Sequence, residues 1–336
     1  MPEAFLELEA REQSQIYRAL APTMGRSPIV LEKDVWVCWV LQTLFTMPGA
    51  LTMAFKGGTS LSKVFGAIAR FSEDVDITLD YRGLDNSFDP FASGVSRTRL
   101  KKFSDDLQDF VRSHVHAVVA PHFRRVFEEA LPGQTIAIDV SDDGEQLRVH
   151  YPSVLDAQGG YMGSSVLVEF GGRNITEPSV RYQITPDIAS QLPELEFPNP
   201  AINVLAPERT FWEKATLIHV ECQRGEFRAS AQRMSRHWYD MAMMADRDIG
   251  RSALGNRELL ADVVRHKKVF FNASYANYDA CLQGLLQLIP GKMALYALQD
   301  DYQRMIDSGM FIGQPEDFAS LIERLRKLQA DINKVK

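Results

Sequence analysis

Two closely spaced aspartates have the clearest chemical potential in this sequence. Asp74 and Asp76 are separated by one residue in an apolar, strand-like run that ends at Tyr81. Side chains alternate between the two faces of a strand, so both carboxylates are expected on one face, about 7 Å apart along the strand. Two anionic groups at this separation repel each other unless a cation lies between them. The pair therefore predicts a site for a divalent metal ion.

A glycine turn precedes the aspartates. The pattern predicts a strand over Leu51–Phe55 and a helix over Ser60–Ala69, with small residues between them. Small residues at such a turn let a phosphate group approach the backbone N–H groups of the helix start. The candidate nucleotide-binding residues here are Lys56, Gly57, Gly58 and Thr59. The spacing is not that of a Walker A loop. A phosphate-binding turn beside a metal-binding pair is typical of phosphoryl or nucleotidyl transfer.

Two further residues could belong to the same site. Ser72 lies two residues before Asp74 and would share its face, where it either contacts a phosphate or serves only as a turn residue. Glu169 is the only carboxylate in the apolar run from Ser164 to Phe170. Burial of an unpaired charge is costly, so Glu169 is either a third metal ligand or general base, or an outward-facing residue of an edge strand.

Lys214 and Asp240 are candidates in the C-terminal part of the chain. Lys214 lies on a largely apolar helical segment, where a lysine either extends its ammonium group to solvent or meets a fixed anion. A lysine that meets a triphosphate would offset its charge. Asp240 precedes an apolar stretch. It either interacts with a helix dipole, or it has a functional role in which it orients Lys214 or contacts a nucleotide.

Composition restricts the class of protein. The net charge of −7 argues against a protein that coats nucleic acid non-specifically, although a local basic groove remains compatible with it. No run is long and apolar enough to span a bilayer, and the acidic start is unlike a signal peptide. The three cysteines have no paired spacing, which predicts reduced thiols and a cytoplasmic protein.

The pattern of elements predicts an α+β fold with a mixed sheet. Residues 1–48 are expected to form N-terminal helices that pack on a core of residues 49–205, and residues 206–336 a helical C-terminal domain. Beyond the opening unit, alternating residues predict strands over Gln134–Val140, Gln146–Tyr151, Ser164–Gly171 and Val180–Thr185. Helices are predicted over residues 3–21, Ile29–Phe45, Arg97–Ala130 (with a kink or break at Pro121), Glu208–Cys222, Gln232–Asp246, Arg257–Phe270, Lys292–Met305 and Pro315–Val335.

Several ordered segments together resemble the AbiEii/AbiGii family of nucleotidyltransferase toxins. The segments are LEKDVWVCWVLQTLF, FKGGTSLSK, RFSEDVDI, PERTFWEKATLIH and RHWYDMAMM, and the match that runs from the first to the last spans most of the chain. The resemblance implies a polymerase-β-like nucleotidyltransferase core with a helical C-terminal part. It also implies a bacterial toxin that acts with a cognate antitoxin encoded nearby, or in phage defence by abortive infection.

The resemblance also implies roles for individual residues. Gly58 and Thr59 match the nucleotide-binding turn, Asp74 and Asp76 the metal-binding pair, and Lys214 and Asp240 the later lysine and aspartate of the active site. Ser72 stands where some relatives have a serine that an antitoxin kinase phosphorylates. Glu169 is assigned as the third carboxylate from its position alone.

The expected reaction transfers NMP from an NTP to an acceptor, with Mg²⁺ or Mn²⁺. The acceptor that the resemblance implies is the 3′ end of tRNA, and its modification would block translation and growth. Two alternatives stay open. The acceptor is a protein, or the chain is a non-catalytic module that binds nucleotide and regulates a partner.

Overall fold

The computed structural model of the protein describes residues 3–84, 88–133, 136–155, 163–224 and 233–334. The chain forms two compact units. The first unit comprises Met1–Ser60, Ser72–Phe88 and Lys102–Val204, and the second comprises Leu61–Phe71, Asp89–Lys101 and Leu205–Lys336. Both units are built from discontinuous parts of the chain, and the predicted division at residues 48 and 205 stays a prediction.

A seven-stranded sheet contains Asp76, one of the two predicted metal ligands. The described parts of the chain contain nine strands, seven of them in this sheet. They are β1 (Glu3–Ala4), β2 (Met53–Lys56), β3 (Val75–Asp80), β4 (Ala137–Val140), β5 (Gln146–His150), β6 (Ser165–Asn174), β7 (Ser179–Gln183), β8 (Leu195–Glu196) and β9 (Ala201–Leu205). The order in the large sheet is β4-β5-β6-β3-β2-β9-β7, and β1 pairs with β8 separately. Strand β3 is antiparallel to β2 and parallel to β6, which confirms the predicted mixed sheet.

The helices account for most of the remaining described chain. They are α1 (Ala10–Met24), α2 (Pro28–Phe45), α3 (Gly57–Lys63), α4 (Tyr81–Leu84), α5 (Arg97–His114), α6 (Ala120–Ala130), α7 (Pro207–Arg224), α8 (Ser235–Ala245), α9 (Asp248–Gly255), α10 (Arg257–Phe270), α11 (Lys292–Asp307) and α12 (Phe318–Asn333). Short 3₁₀ helices cover Phe5–Glu7, Asp187–Gln191 and Tyr278–Leu282. No helix in the described parts of the chain is long and apolar enough to cross a membrane.

Helix α2 is the central helix of the first unit. It begins after Ser27, whose Oγ accepts a hydrogen bond from the backbone N–H of Val30 at 3.4 Å, and Pro28 occupies its first turn, where no N–H partner is needed. Its side chains are buried almost all round, and the ring of Trp36 stacks on that of Tyr151 at 5.1 Å. A helix that is apolar on every side is stable only inside a core.

Three predicted helices differ from the structure. Helix α3 begins at Gly57, not at Ser60, so the predicted glycine turn forms its first turn. It ends at Lys63, not at Ala69, because Gly66 takes a positive φ of 53° and turns the chain out of the helix. The first helix begins at Ala10 instead of residue 3, since β1 pairs with β8, and it continues past the predicted stop before Pro22. The run from Arg97 to Ala130 stays helical but winds as a π-helix over Val115–Val119, just before Pro121.

Several elements were not predicted, among them the short β1, α4 and β8, and also β9 and α9. Strand β9 is short, and the prolines that precede and follow it favour a loop, yet it pairs in parallel with β2. Helix α9 follows α8 closely, with its own start at Asp248. The other predicted C-terminal helices and core strands lie at or within a few residues of their predicted bounds. The predicted ends at Gln134, Gln232 and Val335 fall outside the described residues.

The second unit has a helical core. The side chains of Trp212 on α7 and Trp238 on α8 are fully buried, and both belong to one apolar cluster with residues of α10, α11 and α12. Buried aromatic side chains of this size contribute strongly to core energetics. The helical character predicted for the C-terminal part is therefore confirmed.

Candidate active site

The glycine turn and the second aspartate are in direct contact in the first unit. Gly57 follows β2 and has a positive φ of 82°. A Cβ atom placed on Gly57 would lie 1.9 Å from Oδ2 and 2.9 Å from Cβ of Asp76. Only glycine fits, because its backbone lies against the aspartate side chain and has a conformation that other residues rarely adopt. The turn and the predicted metal ligand are therefore packed as one structure.

Hydrogen bonds join the turn to the first aspartate. The hydroxyl group of Thr59 lies 2.6 Å from the carbonyl oxygen of Asp74 and 3.0 Å from Oγ of Ser72. A hydroxyl carries one proton and a carbonyl only accepts, so Thr59 donates to Asp74 and the Ser72 hydroxyl donates to Thr59. Thr59 is 2% exposed, and its hydroxyl connects the turn to the segment that carries Asp74.

The two aspartates have different positions relative to β3. Both were predicted within one strand, but β3 begins at Val75, so Asp76 lies in the strand and Asp74 directly precedes it. Both side chains are partly exposed. The position of Asp74 is thus set largely by contacts other than the strand ladder, such as the hydrogen bond from Thr59.

A row of polar residues crosses the sheet at Asp76. Lys56 on β2 and Glu169 on β6 are its direct register partners, and Gln146 on β5 is the partner of Glu169. Directly opposite residues point to the same side of a sheet, so the carboxylates of Asp76 and Glu169 share one face. The Gln146 amide donates to Glu169 at 3.0 Å. The alternative that Glu169 lies on an edge strand is wrong, because β6 pairs on both sides.

The donor set fits a hard divalent cation. Carboxylate oxygens from Asp74, Asp76 and Glu169 are the ligands that Mg²⁺ prefers, and Mg²⁺ is commonly held by only one or two carboxylates together with substrate phosphates. Within the described ranges, no group of three or more His, Cys, Asp or Glu side chains is arranged to hold a metal by itself.

The second unit contains a separate buried charge cluster around Asp240. The Arg70 guanidinium donates from Nε and Nη2 to the two carboxylate oxygens of Asp240, at 2.7 and 2.8 Å. The ammonium group of Lys214 lies 3.0 Å from Oδ2 of Asp240. Asp240 is fully buried and lies in the middle of α8, so the alternative of an acid at a helix N-terminus is wrong. The contact expected between Lys214 and Asp240 is present.

The protonation states of this cluster follow from burial and from its neighbours. Although burial raises the pKa of Asp240, the nearby Arg70 and Lys214 hold it well below its usual range. Burial lowers the pKa of Lys214, with Asp240 acting in the opposite direction. Burial and the cation of Lys214 lower the pKa of His237 well below its usual range, so this imidazole is neutral at pH 7. Its Nδ1 lies 3.3 Å from Nζ of Lys214 and accepts a hydrogen bond, since an ammonium group only donates.

The predicted site residues thus form two groups. Gly57, Gly58, Thr59, Ser72, Asp74, Asp76 and Glu169 lie in the first unit, together with Lys56, while Lys214 and Asp240 lie in the second. Arg70 and His237 were not among the predicted site residues. Arg70 stands two residues before Ser72, and its bond to Asp240 links positions 170 residues apart, which no local pattern reveals.

Comparisons with known proteins identify the family and a similar fold. The family described as nucleotidyl transferase AbiEii toxin, of type IV toxin–antitoxin systems, matches residues 39–324, a range that includes every predicted site residue. No curated protein matches the chain. In structure, the chain is similar to MenT4, a nucleotidyltransferase toxin from Mycobacterium tuberculosis H37Rv, with a TM-score of 0.54 and 19% identity over 98% of this chain and 91% of that one. At this identity, the likeness concerns the fold.

Proposed function

The chain belongs to the AbiEii nucleotidyltransferase toxin family of type IV toxin–antitoxin systems, and we propose that it transfers NMP from an NTP to the 3′ end of tRNA. The transfer would take place in the cytoplasm, block translation and stop growth. The family implies an NTP substrate and an antitoxin partner. Phage defence through abortive infection is the biological setting that we propose for it.

The observation that carries the proposal is the packing of Asp76 against Gly57. A nucleotidyltransferase must hold a triphosphate and a divalent metal next to each other. Here the turn proposed to bind the phosphates touches a proposed metal ligand, and Thr59 joins the same turn to Asp74. The Thr59 hydroxyl is engaged in this bond. We therefore assign phosphate binding chiefly to the backbone N–H groups around Gly58, with Thr59 fixing the turn.

The reaction proceeds by displacement at the α-phosphorus. The acceptor hydroxyl oxygen forms a bond to the α-phosphorus, the bond from that phosphorus to the bridging oxygen of the β-phosphate breaks, and pyrophosphate leaves. The Glu169 carboxylate accepts the hydroxyl proton. Asp74 and Asp76 would hold Mg²⁺, which when bound would supply positive charge to neutralise the phosphates and orient the nucleotide.

Lys214 and Asp240 have supporting roles in the proposal. Lys214 binds the triphosphate through its ammonium group, as the family resemblance implies. Asp240 orients that group, with which it is in contact at 3.0 Å.

Ser72 is the proposed point of control by phosphorylation. Its hydroxyl donates to Thr59 at 3.0 Å, and a phosphate on this oxygen would remove the donor. It would also add close to two negative charges two residues from Asp74. Both changes oppose binding of the metal and the triphosphate.

A labelling experiment tests the function and its acceptor. Purified protein is incubated with each α-³²P-NTP in turn, Mg²⁺, and either total tRNA or cell lysate. We expect label on tRNA from at least one NTP. Label on a protein instead identifies the alternative acceptor. If no label is transferred and Asp76→Ala still inhibits growth, the chain acts without catalysis and the proposal is wrong.

A further inference from the structure

Helix α2 carries three consecutive charged residues in an otherwise apolar core helix. Glu32 is 2% exposed and Lys33 is 3% exposed, and Asp34 follows them. A buried charge costs several kcal/mol unless it is paired and hydrogen-bonded. Two charged residues at the centre of a unit therefore require specific partners. All three residues also lie before residue 39, where the match to the toxin family begins.

Successive residues of a helix project about 100° apart, so the three side chains reach different segments. The Glu32 carboxylate accepts hydrogen bonds from Ser153 Oγ and from the backbone N–H of Val154, both at 2.7 Å. Asp34 accepts from the backbone N–H of Asp187 at 2.7 Å. Glu32 and Asp34 each fix a loop of the first unit.

Lys33 reaches the segment of the predicted metal ligands. Its ammonium group forms an ion pair with the carboxylate of Glu73 and donates to the carbonyl oxygen of Gly163 at 3.1 Å. The two side chains of the ion pair are 4% and 15% exposed, so solvent screens the pair only weakly. Glu73 stands between Ser72 and Asp74.

The position of Asp74 explains why such an anchor matters. Asp74 precedes β3, so the segment from Ser72 to Asp74 depends on side chains for its placement. Thr59 binds one part of it, through Ser72 and the carbonyl group of Asp74. Lys33 binds the residue in between. Two contacts from different elements therefore fix the backbone on which Asp74 is presented.

We propose that Lys33 is a positioning residue for the metal ligands Asp74 and Asp76, and that it acts through Glu73. The assignment of those ligands rests on the function proposed above. Residues that hold metal ligands in place, without touching the metal, typically affect metal affinity by 10- to 100-fold. Loss of the Lys33 ammonium group should therefore weaken metal binding by about tenfold at the least.

The test measures metal binding directly, by electron paramagnetic resonance of Mn²⁺ added to the purified full chain. Lys33→Met keeps the aliphatic side chain and removes the charge, and we expect the Mn²⁺ Kd to rise about tenfold. Glu73→Gln should produce a similar rise, and the double variant should be no worse than either single variant, because the two residues act as one pair. Asp34→Ala is the matched control on the same helix. It should leave the Mn²⁺ Kd within about twofold of wild type.

The outcomes separate this inference from the proposed function. If Lys33→Met or Glu73→Gln binds Mn²⁺ as tightly as wild type, or if Asp34→Ala weakens binding equally, Lys33 has no specific positioning role. Circular dichroism checks folding. If Lys33→Met does not fold, the Mn²⁺ Kd of Glu73→Gln, a substitution at a partly exposed residue, is the test of the inference. Wild type that binds Mn²⁺ but transfers no nucleotide contradicts only the proposed function, whereas wild type that does not bind Mn²⁺ contradicts both.

Discussion

Substitution of Gly57 by alanine tests the contact between the turn and Asp76. The added Cβ would lie 1.9 Å from Oδ2 of Asp76, where ordinary van der Waals contact begins at 3.4 Å, so the groups must separate by about 1.5 Å. Rotation of the aspartate side chain does not solve the problem, because its Cβ is also only 2.9 Å away. The backbone of the turn or of β3 must move.

Two costs follow from Gly57→Ala. Alanine in a left-handed conformation costs about 1 kcal/mol of stability. Displacement of a catalytic group by about 1 Å typically lowers the rate about 100-fold, which corresponds to roughly 2.7 kcal/mol of barrier. We therefore expect kcat for nucleotide transfer to fall at least about 100-fold.

The assay compares Gly57→Ala with Gly49→Ala. Gly49 also has a positive φ, of 70°, but open space surrounds the position of its Cβ. Gly49→Ala should lose about 1 kcal/mol in urea unfolding and keep the wild-type rate of α-³²P transfer at saturating NTP and Mg²⁺. Gly57→Ala should lose more stability, because its Cβ also clashes with Asp76. A Gly57→Ala variant that retains activity within a few-fold of wild type would refute the packing argument. Equal losses of transfer activity in the two variants would refute it as well.

The charge cluster of the second unit leads to two further predictions. Asp240→Asn removes the buried carboxylate that pairs with Arg70 and Lys214, and it should cost about 3–5 kcal/mol in urea unfolding. Asp246→Asn at the exposed end of α8 should cost less than about 1 kcal/mol, and similar losses in the two variants would contradict the assignment of the cluster. The pKa of His237 in the folded protein lies below the usual 6.5, so as the pH falls the unfolded state takes up a proton before the folded state does. The free energy of unfolding should therefore decrease below pH 6.5, by up to about 1.4 kcal/mol per pH unit. His237→Asn should reduce this slope between pH 6.5 and 5, and an unchanged slope would show that His237 is not its source.

The sequence was most informative where chemistry depends on neighbours in the chain. The spacing of Asp74 and Asp76 and the glycines before them are local features, and the mixed sheet followed from alternating residues and turn signals. The end of α3 was placed too late because Gly66 was not given its left-handed conformation. Local rules fail at such a position when one residue can either continue a helix or end it.

Contacts between distant segments were beyond sequence reasoning. Arg70 bonds to Asp240 across 170 residues, and Lys33 to Glu73 across 40. The rule that a charge in an apolar run needs a partner did identify Glu169 and Lys214. Applied to α2, the same rule would have singled out Lys33, although its partner depends on the tertiary fold.

The most direct test of the account compares Asp76→Asn with Asp139→Asn in the rate of nucleotide transfer at saturating NTP, over a titration of Mg²⁺. Asp139 is an exposed carboxylate on β4 of the same sheet, so its substitution controls for a general loss of negative charge. The account predicts that Asp76→Asn lowers the rate about 1,000-fold, or roughly 4 kcal/mol of barrier, while Asp139→Asn stays near wild type. A wild-type rate in Asp76→Asn at every Mg²⁺ concentration would contradict the claim that this carboxylate holds the metal for nucleotidyl transfer.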